Sequence, residues 1–306
     1  MILDFLFFYF NGVENIHMTK QSISLIGYAS SVAGMEAPAF NCGLSPSIIQ
    51  HSSYLTDVTL DWQAMLNPSA STELAKEEIV AEINTELAKQ VSSLLKQQKK
   101  CCVIGGDHTC ALGTWSGVYD ALNQKGNVGL IWIDAHMDSH TPATTETGRL
   151  HGMPLACLLG YGDSRLTSIL HAEPKIKPRN LCLIGVRSFE KAEELFLAKL
   201  GVRIYFMPEI KQRGFSAVLQ EAVTYVSADT INFGLSIDID AIDPRDAAGV
   251  GVPEAGGIRA EELLEGLLKI VANPKYIATE VAEFDSSRDV NRATEKVVTD
   301  IVKILI

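Results

Sequence analysis

Residues 128–138 read VGLIWIDAHMD, an unbroken apolar run that ends in Asp134, His136 and Asp138, spaced by two. Apolar residues without polar alternation are the pattern of a strand buried on both faces, as in a parallel sheet covered by helices on each side. Side chains of an extended chain alternate faces, so these three groups project to one side. Residues 233–243, FGLSIDIDAID, repeat the rhythm with Asp238, Asp240 and Asp243. So many carboxylates at the ends of apolar strands repel one another without counter-charge, and a bound metal cluster supplies it.

Working outward, strand-length apolar runs recur at Ser22 to Tyr28, Cys101 to Ile104, Val128 to Asp134, Leu181 to Val186, Val202 to Phe206, Phe233 to Asp240 and Ile277 to Phe284. Between them, Glu73 to Lys99, Lys191 to Lys199 and Arg259 to Val271 carry apolar residues at three- and four-residue spacing, the amphipathic helix pattern. Strands alternating with helices predict an α/β fold, a three-layer α-β-α arrangement with a central parallel sheet. No low-complexity linker or fixed-period repeat divides it, so residues 18–306 are expected to be a single domain. In such sheets the ligand crevice lies beyond the carboxyl ends of the strands. GGDH, DAHMD, SIDID and Glu283 each close an apolar run, so four strand ends are expected to meet at one place.

The 306 residues are 47% hydrophobic, enough for a large core. A formal charge of -11 and the lack of any long basic run argue against nucleic acid or an anionic membrane surface and favour a small-molecule partner. The opening MILDFLFFYF is interrupted by Asp4 and is far shorter than the roughly 20 residues a span requires. It also lacks the basic start of a secretory signal. Residues 1–17 are therefore expected to be an extension, disordered or derived from an upstream start, with the globular chain beginning at Met18. The six cysteines, Cys42, Cys101, Cys102, Cys110, Cys157 and Cys182, lie mostly in apolar segments without zinc-site or disulfide spacing. They read as reduced core residues, and with no credible signal the expected location is the cytoplasm.

His108, Asp134, His136, Asp138, Asp238 and Asp240 offer two imidazoles and four carboxylates, enough for two metal ions. An oxygen-rich set without thiolates favours a hard or borderline divalent ion such as Mn²⁺. Two such ions about 3.5 to 4 Å apart clamp and activate a water, so hydrolysis is the expected reaction class. Gly105 and Gly106 fit a tight turn beside His108, since the Lys/Ser pair of a phosphate loop is missing. Asp243 is expected to shape the DP turn, and Asp107 and Glu280 to brace the site.

GGDH, DAHMD, HGMP and SIDIDAIDP, in this order, resemble the ureohydrolase family, which includes arginases, agmatinases and related amidino hydrolases. The resemblance runs from about Ser22 to the C-terminus, and the four-motif order is far more specific than any one motif. It implies two Mn²⁺ ions per chain and hydrolysis of a guanidinium or amidine group. Carried over by motif, one ion is held by His108, Asp134, Asp138 and Asp238, and the other by Asp134, His136, Asp238 and Asp240. The hydroxide between them attacks the guanidinium carbon, Asp138 shuttles its proton, His151 relays a further proton and Glu283 binds the guanidinium.

The loop HTPATTETGRL, residues 140–150, resembles the arginase loop that holds the amino-acid end of the substrate. It departs from that pattern at His140 and Arg149, where asparagines are usual, and at Thr147, where a serine is. Val252 stands where a threonine is usual. Glu190 and Glu193 align with the acidic positions that hold the α-amino group, and the fork of Arg149 suits a carboxylate. The TP-x-TT loop followed by G-x-LHG is closer to arginases than to agmatinases, which makes L-arginine, cleaved to ornithine and urea, the expected substrate. The alternatives are an agmatinase, a guanidino-acid hydrolase, a formimidoylglutamase or an inactive regulatory relative. The resemblance also implies a homo-oligomer, a trimer or hexamer.

Overall fold

The computed structural model describes residues 23–34, 41–71 and 73–306. The expected extension over residues 1–17, and Ser22 at the start of the first apolar run, lie outside the described residues. Among the described residues, eight strands form one sheet: β1 (Ser24–Tyr28), β2 (Asp61–Leu66), β3 (Cys101–Ile104), β4 (Val128–Ile133), β5 (Leu181–Val186), β6 (Arg203–Phe206), β7 (Asn232–Asp238) and β8 (Tyr276–Ala282). Their order is β2-β1-β3-β8-β7-β4-β5-β6, and every pairing is parallel. Seven of them coincide with the expected runs. The eighth, β2, is an edge strand whose residues are partly exposed, so its DWQAML reads as neither a buried run nor a clean alternation.

Alternation along the strands divides the core into two layers. Ile131 and Ile133 of β4, with Cys182 and Ile184 of β5, face one layer, and Leu130 and Trp132, with Leu181 and Leu183, face the other. The first layer is closed by α4 (Phe215–Ser227), α5 (Ala260–Val271) and α6 (Ala293–Leu305), the second by α1 (Lys76–Lys96), α2 (Cys110–Leu122) and α3 (Lys191–Leu200). The three-layer α-β-α expectation holds. No helix among the described residues is long and apolar enough to cross a membrane.

The helices follow their sequence logic. In α1, Ile79, Val80, Ile83, Leu87, Val91, Leu94 and Leu95 are buried, a stripe at helical spacing in which each large apolar side chain contributes about 1.5–3 kcal/mol on burial. Glu77 and Glu78 stand in its first turn and Lys96 in its last, each favourable toward the helix dipole. α2 is buried almost all round, and side chains at Gly113 and Gly117 would strike the backbone of α1 at Asn84 and Ala88. These two glycines set how closely α1 and α2 pack. All six cysteines are unpaired and buried, three of them on β3 and β5, as expected of reduced core residues.

Candidate active site

The turn after β3 brings His108 to the carboxyl end of the sheet. A side chain on Gly106 would collide with the Ser30 carbonyl, so the close approach there requires glycine. Asp107 braces the turn, with Oδ1 accepting from the Thr109 amide and hydroxyl and Oδ2 from Ser30 Oγ and Ala33 N. His108 is fully buried and stacks on Trp132, with ring centroids 4.3 Å apart. Its Nε2 lies 2.8 Å from Ser236 Oγ. Its Nδ1 lies 3.0 Å from Asp138 Oδ2, 3.0 Å from Asp238 Oδ2 and 3.4 Å from Asp134 Oδ2.

A second imidazole completes the cluster. His136 Nδ1 is 3.0 Å from Asp240 Oδ2 and 3.5 Å from Asp134 Oδ1. Donor atoms of His108, Asp134, Asp138 and Asp238 lie within 4.8 Å of one another, as do those of Asp134, His136 and Asp240. Asp134 is common to both groups. Asp238 falls only in the first, although both ligand sets expected from the sequence include it; its Oδ1 accepts from Asp240 N at 2.8 Å in the tight turn that follows β7.

The groups fit a bound cation. His108 Nδ1 is buried without a hydrogen-bond partner and faces only carboxylate oxygens. An atom so placed needs either a proton or a metal between it and the acids. Burial raises Asp138 to about 6, with the Asp134 charge adding to it, and burial with Asp240 and Asp134 raises Asp238. Burial also opposes charge on Asp134, His108 and His136. The imidazoles nevertheless hold Asp134 low, and the carboxylates around them hold His108 and His136 high. Four acids against two imidazoles leave uncompensated negative charge in a desolvated site. The set is oxygen- and imidazole-rich and free of thiolate, the donor chemistry that suits Mn²⁺.

Two backbone positions beside the cluster are left-handed without being glycine: Asp138 at φ 46° and Glu283 at φ 68°. Each costs on the order of 1–3 kcal/mol, and such positions concentrate at functional sites. Glu283 Oε1 accepts from His108 N at 2.8 Å and lies 3.3 Å from His151 Nδ1, which ties β8, the turn after β3 and the LHGMP segment together. Burial works against charge on His151, but Glu283 first, then Asp138 and Asp107, outweigh it and push the imidazole up to about 9.

Farther out stands a third group. Glu190 immediately precedes α3, and Glu193 in the first turn accepts from Glu190 N at 3.1 Å and from Ser139 N at 3.0 Å. His140 Nε2 is 2.9 Å from Glu190 Oε2 and 3.5 Å from Glu193 Oε2, and its Nδ1 is 3.2 Å from Thr144 Oγ1. Burial, then the neighbouring Glu190, pushes Glu193 up to about 8, whereas its hydrogen bond to Glu193 lowers Glu190. The structure brings His140, Glu190 and Glu193, three of the residues expected at the substrate's amino-acid end, into one group. Thr147 and Arg149 are exposed on the loop; Thr147 Oγ1 accepts from Arg149 N, and among the described residues no side-chain hydrogen bond ties either to the clusters.

Three side chains around the site were not singled out from the sequence. Trp132 Nε1 donates to Asp134 Oδ2 at 2.8 Å, and Ser236 meets His108. Each stands two residues before a strand-end aspartate, so the period-2 rule that grouped the acids also reaches these partners. Arg187 leaves no such signal. Its guanidinium donates to the carbonyls of Gly185, Asp240, Ala241 and Glu254, joining three segments remote in sequence. Asp243 shapes its turn as expected, accepting from Arg245 and from Gly256 N. Burial pushes Glu280 up to about 7, opposed first by the charge on His108.

Comparison with known proteins agrees with this geometry. The profile described as Arginase family matches residues 22–306. Arginase from Bacillus caldovelox is 39% identical over 208 residues, 68% of this chain and 69% of that protein. The crystal structure of arginase from Bacillus subtilis superposes with a TM-score of 0.83 at 31% identity, covering 93% of this chain and 98% of that one. The crystal structure of Entamoeba histolytica arginase in complex with L-ornithine also superposes with a TM-score of 0.83, at 26% identity and with the same coverage of 93% and 98%.

Proposed function

The chain belongs to the arginase family, and from that premise we propose that it is a manganese-dependent arginase, hydrolysing L-arginine to ornithine and urea. The observation that carries this reading is the meeting of two imidazoles and four carboxylates at the carboxyl ends of β3, β4 and β7, with Asp134 shared between two groups. The relatives named arginase do not favour the agmatinase, guanidino-acid hydrolase, formimidoylglutamase or inactive alternatives.

In this reading His108, Asp134, Asp138 and Asp238 hold one Mn²⁺, and Asp134, His136 and Asp240, with Asp238 beside them, hold a second. Two divalent ions in such a site supply Lewis acidity that makes water nucleophilic near neutral pH. The protein groups do the rest. The Glu283 carboxylate holds the guanidinium and presents its trigonal carbon to the attacking water. Asp138 takes up the proton that the water releases. Asp138 hands that proton to the departing nitrogen, and His151, beside Glu283, relays a further proton, so that ornithine leaves as the amine and urea remains. Glu190 and Glu193 receive the α-amino group, with His140 shared between them, and Thr147 and Arg149 receive the α-carboxylate. The same proposal extends to a single catalytic domain over residues 18–306, a homotrimer or hexamer, and a cytoplasmic location.

The test is a specificity profile of the Mn²⁺-loaded protein over L-arginine, agmatine, a guanidino acid and formiminoglutamate, following urea or amide release. Turnover of arginine above the others is expected. Appreciable agmatine turnover with none of arginine refutes the assignment.

A further inference from the structure

We infer that Glu280 is a positioning residue for His108, acting through the Ser236 hydroxyl. The inference rests on the metal reading proposed above. Ser236 on β7 and Glu280 on β8 are register partners, so their side chains stand side by side on one face of the sheet. Ser236 Oγ is also 2.8 Å from His108 Nε2. The order of donors along this row is fixed by the far side of the ring. His108 Nδ1 faces carboxylate oxygens of Asp138 and Asp238 at 3.0 Å, and as a ligand it must present its lone pair there. The ring proton then sits on Nε2 and is donated to Ser236 Oγ. The serine hydroxyl, its lone pair occupied, has its own hydrogen left to give, and that hydrogen is free to rotate.

Glu280 is the acceptor for it. The side chain is fully buried. Its Oε1 accepts from Trp115 Nε1 at 2.9 Å, while its Oε2 is buried without a hydrogen-bond partner. A buried carboxyl with one unsatisfied oxygen is a liability for stability, and an apolar residue of similar volume fills such a space at lower cost. Its placement makes sense as the end of a chain running His108 Nε2–H to Ser236 O–H to Glu280 Oε2. A carboxyl at the end of such a chain fixes the tautomer and ring orientation of the ligand histidine and makes Nδ1 the better donor.

The experiment titrates Mn²⁺ alone into metal-stripped full-length protein by calorimetry, for wild type, Ser236→Ala, Glu280→Gln and the double variant, with thermal melts of each metal-free protein. Each single change is expected to raise at least one Mn²⁺ Kd by about tenfold. Because the two groups act in series, the double variant is expected to lose no more than the worse single one. Unchanged Kd values in Ser236→Ala or Glu280→Gln overturn the inference. So do effects that multiply in the double variant, and so does a change confined to the metal-free melting temperature. Should Glu280→Gln not fold, Glu280→Leu, which removes the buried charge and keeps bulk, takes its place with the same expected outcomes. A wild type that binds no Mn²⁺ defeats the metal reading itself, whereas normal wild-type binding with indifferent variants defeats only the role of Glu280.

Discussion

Two clusters of histidine and carboxylate stand at the same end of the sheet, and they are held by different means. The inner one hangs on β3, β4 and β7, among the middle strands, and three of its four aspartates already engage a backbone N–H. Its neighbours Trp132 and Ser236 are fully buried, and the surrounding structure holds Asp138 and Glu283 in left-handed backbone. The outer one joins the loop after β4 to the first turn of α3, and its Glu190 side chain is 60% exposed. The inner cluster is therefore built like a core, where a change in any member is felt by all. The outer one is buried at Glu193 and open to solvent at Glu190. The proposed function assigns reaction chemistry to the first and choice of substrate to the second.

The sharpest way to break that division is Asp134→Ala. It removes the residue shared by both metal groups and leaves the indole of Trp132 without its acceptor. Mn²⁺ affinity is expected to fall by more than about 100-fold, and urea release with it, as measured by elemental analysis after gel filtration. Retention of two ions by this variant would sink the assignment of the inner cluster. Next comes His151→Asn, expected to lower kcat by about 10²- to 10⁴-fold, the usual yield of a positioned acid or base. Its metal content should stay at the wild-type level, and metal loss equal to that of His136→Asn would erase the distinction between ligand and relay. A smaller effect belongs to Glu190→Gln in the outer cluster. KM for arginine is expected to rise about tenfold, the scale of one lost charged hydrogen bond, with kcat nearly unchanged. A guanidino acid lacking the α-amino group should show no such rise, and a fall in kcat instead would move Glu190 into the chemistry.

The smallest effect is a pH dependence. Burial, then Glu190, pushes the Glu193 carboxyl up to about 8 in the folded protein, whereas an unfolded glutamate titrates at about 4.3. Between those values the folded state keeps a proton that the unfolded chain has lost, so this group's contribution to stability declines as pH rises through the window. Urea denaturation at pH 6 and pH 8 should show a decline in wild type that is shallower in Glu193→Gln. Identical slopes would place the buried proton elsewhere.

Much of this was legible because both informative patterns are periodic. Uninterrupted apolar runs gave seven strands, and the period of two placed Asp134, His136, Asp138, Asp238 and Asp240 on one side of their strand ends, where the structure gathers them. What escaped has a physical reason in each case. β2 is half-exposed at the sheet edge, so neither burial nor alternation marks Asp61–Leu66. α2, buried on almost every side and with Thr114 and Ser116 among its buried residues, shows no clear amphipathic stripe to distinguish it from a strand. The grip of Arg187 on four carbonyls joins segments that only the fold brings together.

The six buried thiols carry a practical consequence. Burial pushes Cys101 and Cys157 up to about 12 and raises Cys42, Cys102, Cys110 and Cys182 as well, so the reactive thiolate is scarce and enclosed while the sheet is intact. A thiol reagent can label them only during openings of the layers around them, and the rate of labelling becomes a clock for those openings. Cys101 and Cys102 on β3 and Cys182 on β5 sit on strands either side of the central pair β8–β7. Comparing their labelling rates with and without Mn²⁺ would report, strand by strand, how far a ligand at one end of the sheet steadies its interior.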